Sequence, residues 1–348
     1  MLSSFARAFL AAMITALFSL AASAQGSAAT GTAPSSGPKL LRISLENPES
    51  HVQTRMVRIF AERLSSAVPG VFAIELHSGA SLFRDADVLP ALAQGKVEMA
   101  VPGIWQLDRY APDAAALMLP SVFGRDEGEL ESLADGALGR RIAAQLEAAQ
   151  SVRAIGRFME LGYLHLFGVK RALRGADALQ GLSVRVAGGK ANAERIAAMG
   201  ALPIVIPPSD LRRYIEGGLV GALLSSYETV WSGGYDAWGV SSAYEDKEYF
   251  GFYIPLVGKD FWESLSPGSR AAIADAWESI APASRAAAKE AQAAAAAELA
   301  RRGMRIFRPD RAELETTRAR LLELEDGIAS RLGISAGALA DLRAGIGR

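Results

Sequence analysis

Two α/β lobes are what this sequence predicts, and three observations carry the prediction. The chain has 348 residues, more than one hydrophobic core comfortably supports. Its first third alternates extended and helical patterns as β-α-β-α-β, which implies parallel strands joined by right-handed crossovers. A second alternation starts near Gly181, after an apolar stretch at Gly162–Leu166 that reads as a crossing between lobes.

Taken in order, Leu40–Leu45 is the first strand and Glu46–Ser50 a polar turn. Val52, Met56, Ile59, Phe60 and Leu64 then recur at helical spacing. Pro69-Gly70 ends that helix. Val71–His77 is a second strand, Asp85–Gln94 a short helix, and Val97–Val101 a third strand running into Trp105 and Gln106. Glu127–Gln150 reads as one helix and Val152–Met159 as a strand. In the second lobe the Arg185 strand is followed by a helix near Lys190–Met199, by Leu202–Ile206, and by a helix at Asp210–Glu216 with Ser209 as its N-cap. Leu219–Leu224 is a strand, and Tyr249–Val257 is apolar enough to be a central strand returning to the first lobe. A long Ala-rich helix from Ser266-Pro267 to about Arg302, kinked or broken at Pro282, straps the lobes. Arg311–Arg331 is amphipathic, with Leu314, Leu321, Leu324, Ile328 and Leu332 inward. The expected division is lobe I at 40–162 with 250–290, and lobe II at 163–249 with 291–335.

Composition narrows the class. The chain is 50% hydrophobic and 22% charged with a net charge of −1, which describes a folded protein and points away from nucleic acid as a partner. Within residues 1–24 a single Arg7 precedes an apolar run from Ala8 to Ala22, and Ala22-Ser23-Ala24 is a small-x-small cleavage site. That run is shorter than the roughly 20 residues a spanning helix needs. Residues 1–24 are therefore expected to be a secretory signal peptide and 25–39 a flexible leader, with the mature product exported to a bacterial periplasm. The sequence has no cysteine, so stability rests on core burial, and thiolate metal sites and cysteine nucleophiles are excluded.

The most informative stretch is Gly181-Leu182-Ser183-Val184-Arg185-Val186-Ala187-Gly188-Gly189. Val184 and Val186 mark a short buried strand, and Arg185 stands between them with a charge it cannot shed. A buried guanidinium needs an anion, either an internal Asp or Glu or a bound ligand. In an open α/β sheet, ligands bind beyond the carboxyl ends of the strands, where Arg185 stands. Gly188-Gly189 open a helix at Lys190 whose first N–H groups would face an anion too.

Catalytic patterns are scarce. Gly333-Ile334-Ser335-Ala336-Gly337 matches the nucleophile-elbow spacing, but helix precedes it and no histidine follows. His51, His77 and His165 lack metal-ligand spacing, and Gly188-Gly189-Lys190 is too short for a phosphate loop. Glu313 and Glu315 read as a solvated helix face. No cofactor, metal or enzymatic activity is expected.

Together these landmarks resemble the substrate-binding proteins of tripartite ATP-independent periplasmic (TRAP) transporters, the DctP-type family, from about Leu40 to Arg331. The resemblance rests mainly on Gly181–Val186 and Pro207–Leu224. Leu89–Val101, Leu119-Pro120-Ser121-Val122-Phe123 and Lys259–Leu265 support it. It implies the two-lobed periplasmic binding protein fold, closing on a small organic acid that is handed to the membrane subunits of a TRAP permease. The family's carboxylate-gripping Arg falls on Arg185. Ser225 and Ser226 stand where many members have Asn-Pro, and Leu164 stands where a second Arg is common, which points to a monocarboxylate with an apolar body. Glu46, Gln106, Pro208 and the aromatic Trp105, Tyr163 and Tyr227 complete the expected site, with Trp231 a further candidate wall. Two other readings are open: a receptor of this fold serving an ATP-driven transporter or a sensor, and a periplasmic enzyme on a similar scaffold.

Overall fold

Residues 37–347 are described by a computed structural model; the expected signal peptide and the leader up to residue 36 lie outside the described residues. Strands β1 (Lys39–Ser44), β2 (Phe72–His77), β3 (Met99–Ala100) and β4 (Val152–Ala154) come first. β5 (Met159–Val169), β6 (Ser183–Val186), β7 (Leu202–Val205) and β8 (Ala222–Ser225) follow, then β9 (Val240–Tyr253), β10 (Leu256–Gly258) and β11 (Arg305–Phe307). They form two sheets, five-stranded in the order β2-β1-β3-β10-β4 and six-stranded in the order β11-β9-β5-β8-β6-β7. Each sheet carries one lobe of an α/β fold.

The first sheet follows from its local patterns. In β1 the apolar Leu41 and Ile43 are fully buried, while Pro48, Glu49 and Ser50 of the polar turn after it are exposed. β1 pairs in parallel with β2 and β3, and the helices Val52–Ala67 and Asp85–Ala93 make the crossovers. His51 caps the first of these, its Nδ1 accepting from the Gln53 N–H. That helix buries Val52, Met56, Val57, Phe60 and Leu64, whereas Ile59, expected inward, is 37% exposed. The four-residue steps from Val52 to Leu64 define the buried stripe, and Ile59 lies off it.

The lobes are joined by two crossing strands. The expected single strand Val152–Met159 is two, because the chain leaves the first sheet after β4 and enters the second at β5. Likewise the expected Tyr249–Val257 strand divides into β9 and β10 at Ile254-Pro255, where the Ile254 N–H donates to Pro102 O and Pro255 O accepts from the Ile155 N–H. β5 and β9 pair antiparallel from Met159↔Tyr253 to Val169↔Val240. β10 then enters the first sheet antiparallel to both β3 and β4.

A 35-residue helix, Pro267–Arg301, is the strap, about 52 Å long at 1.5 Å per residue. Ser266 caps it through the Ser269 N–H, and the helix runs unbroken through Pro282. It packs against Val52–Ala67 from one lobe and Tyr227–Ser232 from the other; the Phe60 and Trp277 rings meet edge-on at 5.4 Å.

Other expected boundaries move. Gly136 splits the Glu127–Gln150 helix into Glu127–Asp135 and Ala137–Ala149. The helix after β7 begins at Pro208, with Pro207 rather than Ser209 at its cap. The Arg311–Arg331 segment is two helices, Arg311–Leu322 and Glu325–Leu332, and Leu324 at their junction is 45% exposed. Ser335, in the nucleophile-elbow match, caps a final helix, Ala336–Gly345, through the Ala338 N–H, and its hydroxyl donates to Asp113 at 2.8 Å.

Candidate functional site

A cavity of about 40 Å³ lies between the sheets, walled by both lobes. Glu46 and Asn47 reach it from the end of β1, Trp105 and Gln106 from the turn after β3, and Leu161 and Leu164 from β5. Arg185 and Ala187 enter from the end of β6, Leu224, Ser225 and Ser226 from the end of β8, with Asp85, Pro208, Thr229 and Tyr253 between them.

Arg185 dominates its chemistry. The side chain is 1% exposed. Its Nε donates to Ile206 O at 2.8 Å, and Nη2 is buried with no hydrogen-bond acceptor. Among the described residues no carboxylate lies within ion-pair distance of it, so the internal salt bridge allowed by the sequence is absent. Burial pushes its pKa below the ordinary 12.5, with Tyr235, Glu46 and Tyr249 acting in the opposite sense. Arg185 stands in β6 in register with Ile204 of β7 and Leu223 of β8, so its side chain is carried by a strand paired on both sides rather than by a loop.

Two carboxyls share the cavity with it. Glu46 Oε2 accepts the Asp85 N–H, and Asp85 Oδ2 accepts the Gly103 N–H at 2.9 Å. Burial raises Glu46, while the Asp85 N–H and Arg185 pull it down. Burial and the neighbouring Glu46 hold Asp85 well above the usual carboxylate range. Asp85 is absent from the sequence expectations, since in a sequence it reads only as an acidic residue opening a helix.

Gly188 and Gly189 have a different role from the one expected. The Lys190–Ala198 helix does meet an anion, but it is Asp108 of the opposite lobe, whose Oδ2 accepts the Ala191 N–H at 2.9 Å. Gly189 takes φ +82°, and a Cβ there would lie 2.2 Å from Trp105 O. A Cβ at Gly188 would strike the Gln106 amide at 2.2 Å, whose Nε2 donates to Ala187 O at 3.0 Å. The glycines let the lobes meet beside the cavity.

The family comparison fits this geometry. The sequence matches the DctP family, described as "Bacterial extracellular solute-binding protein, family 7", over residues 43–331. The chain belongs to this family. As a DctP-type, TRAP-transporter substrate-binding protein it is 25% identical over 286 residues to a solute-binding protein of Roseobacter denitrificans, covering 81% of each chain. It is 23% identical over 279 residues to the C4-dicarboxylate-binding periplasmic protein DctP of Rhodobacter capsulatus, covering 79% of this chain and 81% of that one. A TRAP periplasmic solute-binding protein of Ralstonia eutropha with bound (S)-2-acetolactate superposes with a TM-score of 0.81 at 22% identity, over 89% of this chain and 99% of that one. One of Shewanella oneidensis with bound succinate gives 0.79 at 18% identity, over 89% and 99%. These likenesses establish the two-lobed fold of the DctP family.

Within this family member the expected residues divide by strand parity. Leu164 is 5% exposed and faces the cavity. Tyr163, its neighbour on β5, faces the other side, and its hydroxyl donates to Arg125 O at 2.7 Å. Tyr163, His165 and Tyr227 line a second cavity of about 90 Å³ against the strap helix, and the Tyr227 hydroxyl donates to Glu245 at 2.8 Å. Tyr163 and Tyr227 are thus placed outside the Arg185 cavity. Trp231 is also outside it, stacked 4.2 Å under the Arg302 guanidinium. Ser226 spends its hydroxyl as a helix cap for the Thr229 N–H, while the Ser225 hydroxyl, at the cavity wall, has no hydrogen bond among the described residues. The carboxylates of Glu127, Glu131 and Glu160 lie within 4.8 Å of one another, and protein cations already pair with them: Arg285 sits 2.8 Å from Glu160 and Lys289 3.0 Å from Glu127. No helix among the described residues is long and apolar enough to cross a membrane.

Proposed function

We propose that this protein is a periplasmic receptor that captures a small monocarboxylic acid through Arg185 and delivers it to a TRAP membrane permease. The observation that carries this reading is a guanidinium buried in an interlobe cavity without a carboxylate partner and with a free Nη2. A planar fork in that state is matched by a carboxylate, which can accept two parallel hydrogen bonds. Ser225, at the end of β8, adds a neutral donor.

The monocarboxylate preference rests on the far wall. Leu164 cannot donate to a second carboxylate, and Glu46 with Asp85 would repel one. An apolar body against Leu164 instead gains burial, about 25 cal/mol per Å². Both lobes contribute to the wall, so the ligand would stabilise the closed arrangement, and release would follow hinge opening around β5 and β9. The division into lobe I (40–162 with 250–290) and lobe II (163–249 with 291–335) is the proposed unit of that motion. Mass spectrometry of small molecules that co-purify with the protein, followed by calorimetric titration, tests the reading. Recovery of a short monocarboxylic acid that binds, with no product formed on incubation, is the expected result. A dicarboxylate bound more tightly than its matched monoacid would overturn the preference, and turnover would favour an enzyme.

A further inference from the structure

The side-chain amide donors around Glu46 and Asp85 are already committed elsewhere. Asn47 Nδ2 donates to Gln53 Oε1 and Tyr253 OH, Gln53 Nε2 to Val101 O, and Gln106 Nε2 to Ala187 O. Glu46 Oε1 and Asp85 Oδ1 accept nothing among the described residues, although both side chains wall the cavity that holds Arg185. We propose that the ligand is a zwitterion, with a protonated nitrogen held by Glu46 and Asp85 and a carboxylate taken by Arg185. This rests on the carboxylate-receptor reading above and names the ligand class within it.

Charge balance supports the choice. The cavity wall carries one guanidinium and two carboxyls. A plain monoanion would satisfy Arg185 and leave the carboxyl pair facing an apolar group, with two free acceptors desolvated. An ammonium gives the pair a charge-assisted donor and leaves each buried charge with an opposite partner. Two other charges act on the pair: Arg84, half-exposed and turned toward Asp210 at 3.7 Å, and Asp87 on the same helix as Asp85. Neither of them lines the cavity. Burial raises both carboxyls, so the pair can hold a proton that a cationic nitrogen would displace on binding.

The test is a calorimetric panel of short monocarboxylic acids matched in size, each with hydrogen, hydroxyl or ammonium at the same carbon, in buffers of different ionisation enthalpy. The amino member should bind about ten- to a hundred-fold tighter than its two analogues and release a proton that the buffer series reports. Glu46→Gln, or Asp85→Asn as a second variant, should bring the ratio between amino and plain members toward one. Arg185→Met should weaken all members while keeping that ratio. If the hydroxyl or plain member binds as tightly as the amino one, or the ratio survives both acidic substitutions, the zwitterion proposal is overturned while the carboxylate receptor stands. If no acid binds, or Arg185→Met changes the affinity of none, the receptor reading itself fails.

Discussion

Replacing Arg185 by Met keeps most of the apolar stem and removes the charged fork. In the free protein the substitution deletes one hydrogen bond, from Nε to Ile206 O at 2.8 Å, and leaves that carbonyl wanting a donor, a loss of about 1–3 kcal/mol. Against that, it removes a guanidinium that is 1% exposed and has no carboxylate partner, so the desolvation penalty of an unbalanced charge goes with it. The two effects oppose each other, and the melting temperature should move by only a few degrees. With ligand present the effects align: a carboxylate would enter a closed cavity and find no donor fork. Truncating one member of a desolvated charge pair costs about 2–5 kcal/mol, a loss of roughly thirty- to several-thousand-fold in affinity. Differential scanning fluorimetry and calorimetric titration of the same variant check both halves. A well-folded variant that binds the native ligand as tightly as the wild type would refute the reasoning, because it would mean the free Nη2 is not the anion contact.

Further expectations concern the walls, the hinge and the buried acids. Leu164→Arg places a second guanidinium in the cavity; succinate-like dicarboxylates should gain about ten-fold or more relative to matched monoacids, and an unchanged ratio would show that Leu164 does not set the preference. Gly189→Ala combines φ +82° with a Cβ 2.2 Å from a backbone oxygen, so ligand-induced compaction seen by small-angle scattering should shrink. Gly188→Ala meets only the movable end of Gln106 and should do less harm. Burial pushes the Glu160 carboxyl up to about 8, against an ordinary 4.5, with the nearby Glu131, Glu127 and Asp135 adding to the rise and Arg285 opposing it. The folded state then binds the extra proton, so this group's stabilisation is full below about pH 4.5 and declines as pH rises toward 8, and Glu160→Gln should flatten that limb of a pH–stability profile. His51 and His165 act in the opposite sense: burial holds both near 3, below the ordinary 6.5, so their stabilisation is present above pH 6.5 and fades as pH falls toward 3.

What could be read from the sequence was what local chemistry dictates. Arg185 between two valines demanded an anion wherever the strand was placed, and β6 puts it at the cavity. Gly188-Gly189 reads in the sequence as the opening of an anion-facing helix, and only the fold shows that Trp105 of the other lobe approaches the backbone there. Side-chain parity is legible in a strand: with Leu164 facing the cavity, Tyr163 beside it on β5 faces away, so the period of two separates these two expected site residues. The long crossing strand β9 was missed in its first half for a different reason. Glu245-Asp246-Lys247-Glu248 is a run of four charges, and charge normally signals exposure. In the fold Glu248 is fully buried against Arg195, whose Nη1 also donates to Met118 O at 2.8 Å. Arg195 itself looked like an ordinary helix residue, yet it is 1% exposed. Each charge is stable inside only because the other is there, and the two are 53 positions apart. The same holds for Asp85, whose burial depends on the Gly103 N–H, and for Asp108, which caps a helix of the opposite lobe. Apolar periodicity declares itself within a single element, whereas a buried charge declares itself only through its partner. The Arg185 guanidinium differs: among these buried charges it is the one for which the described residues supply no carboxylate, and the proposed ligand would fill that place.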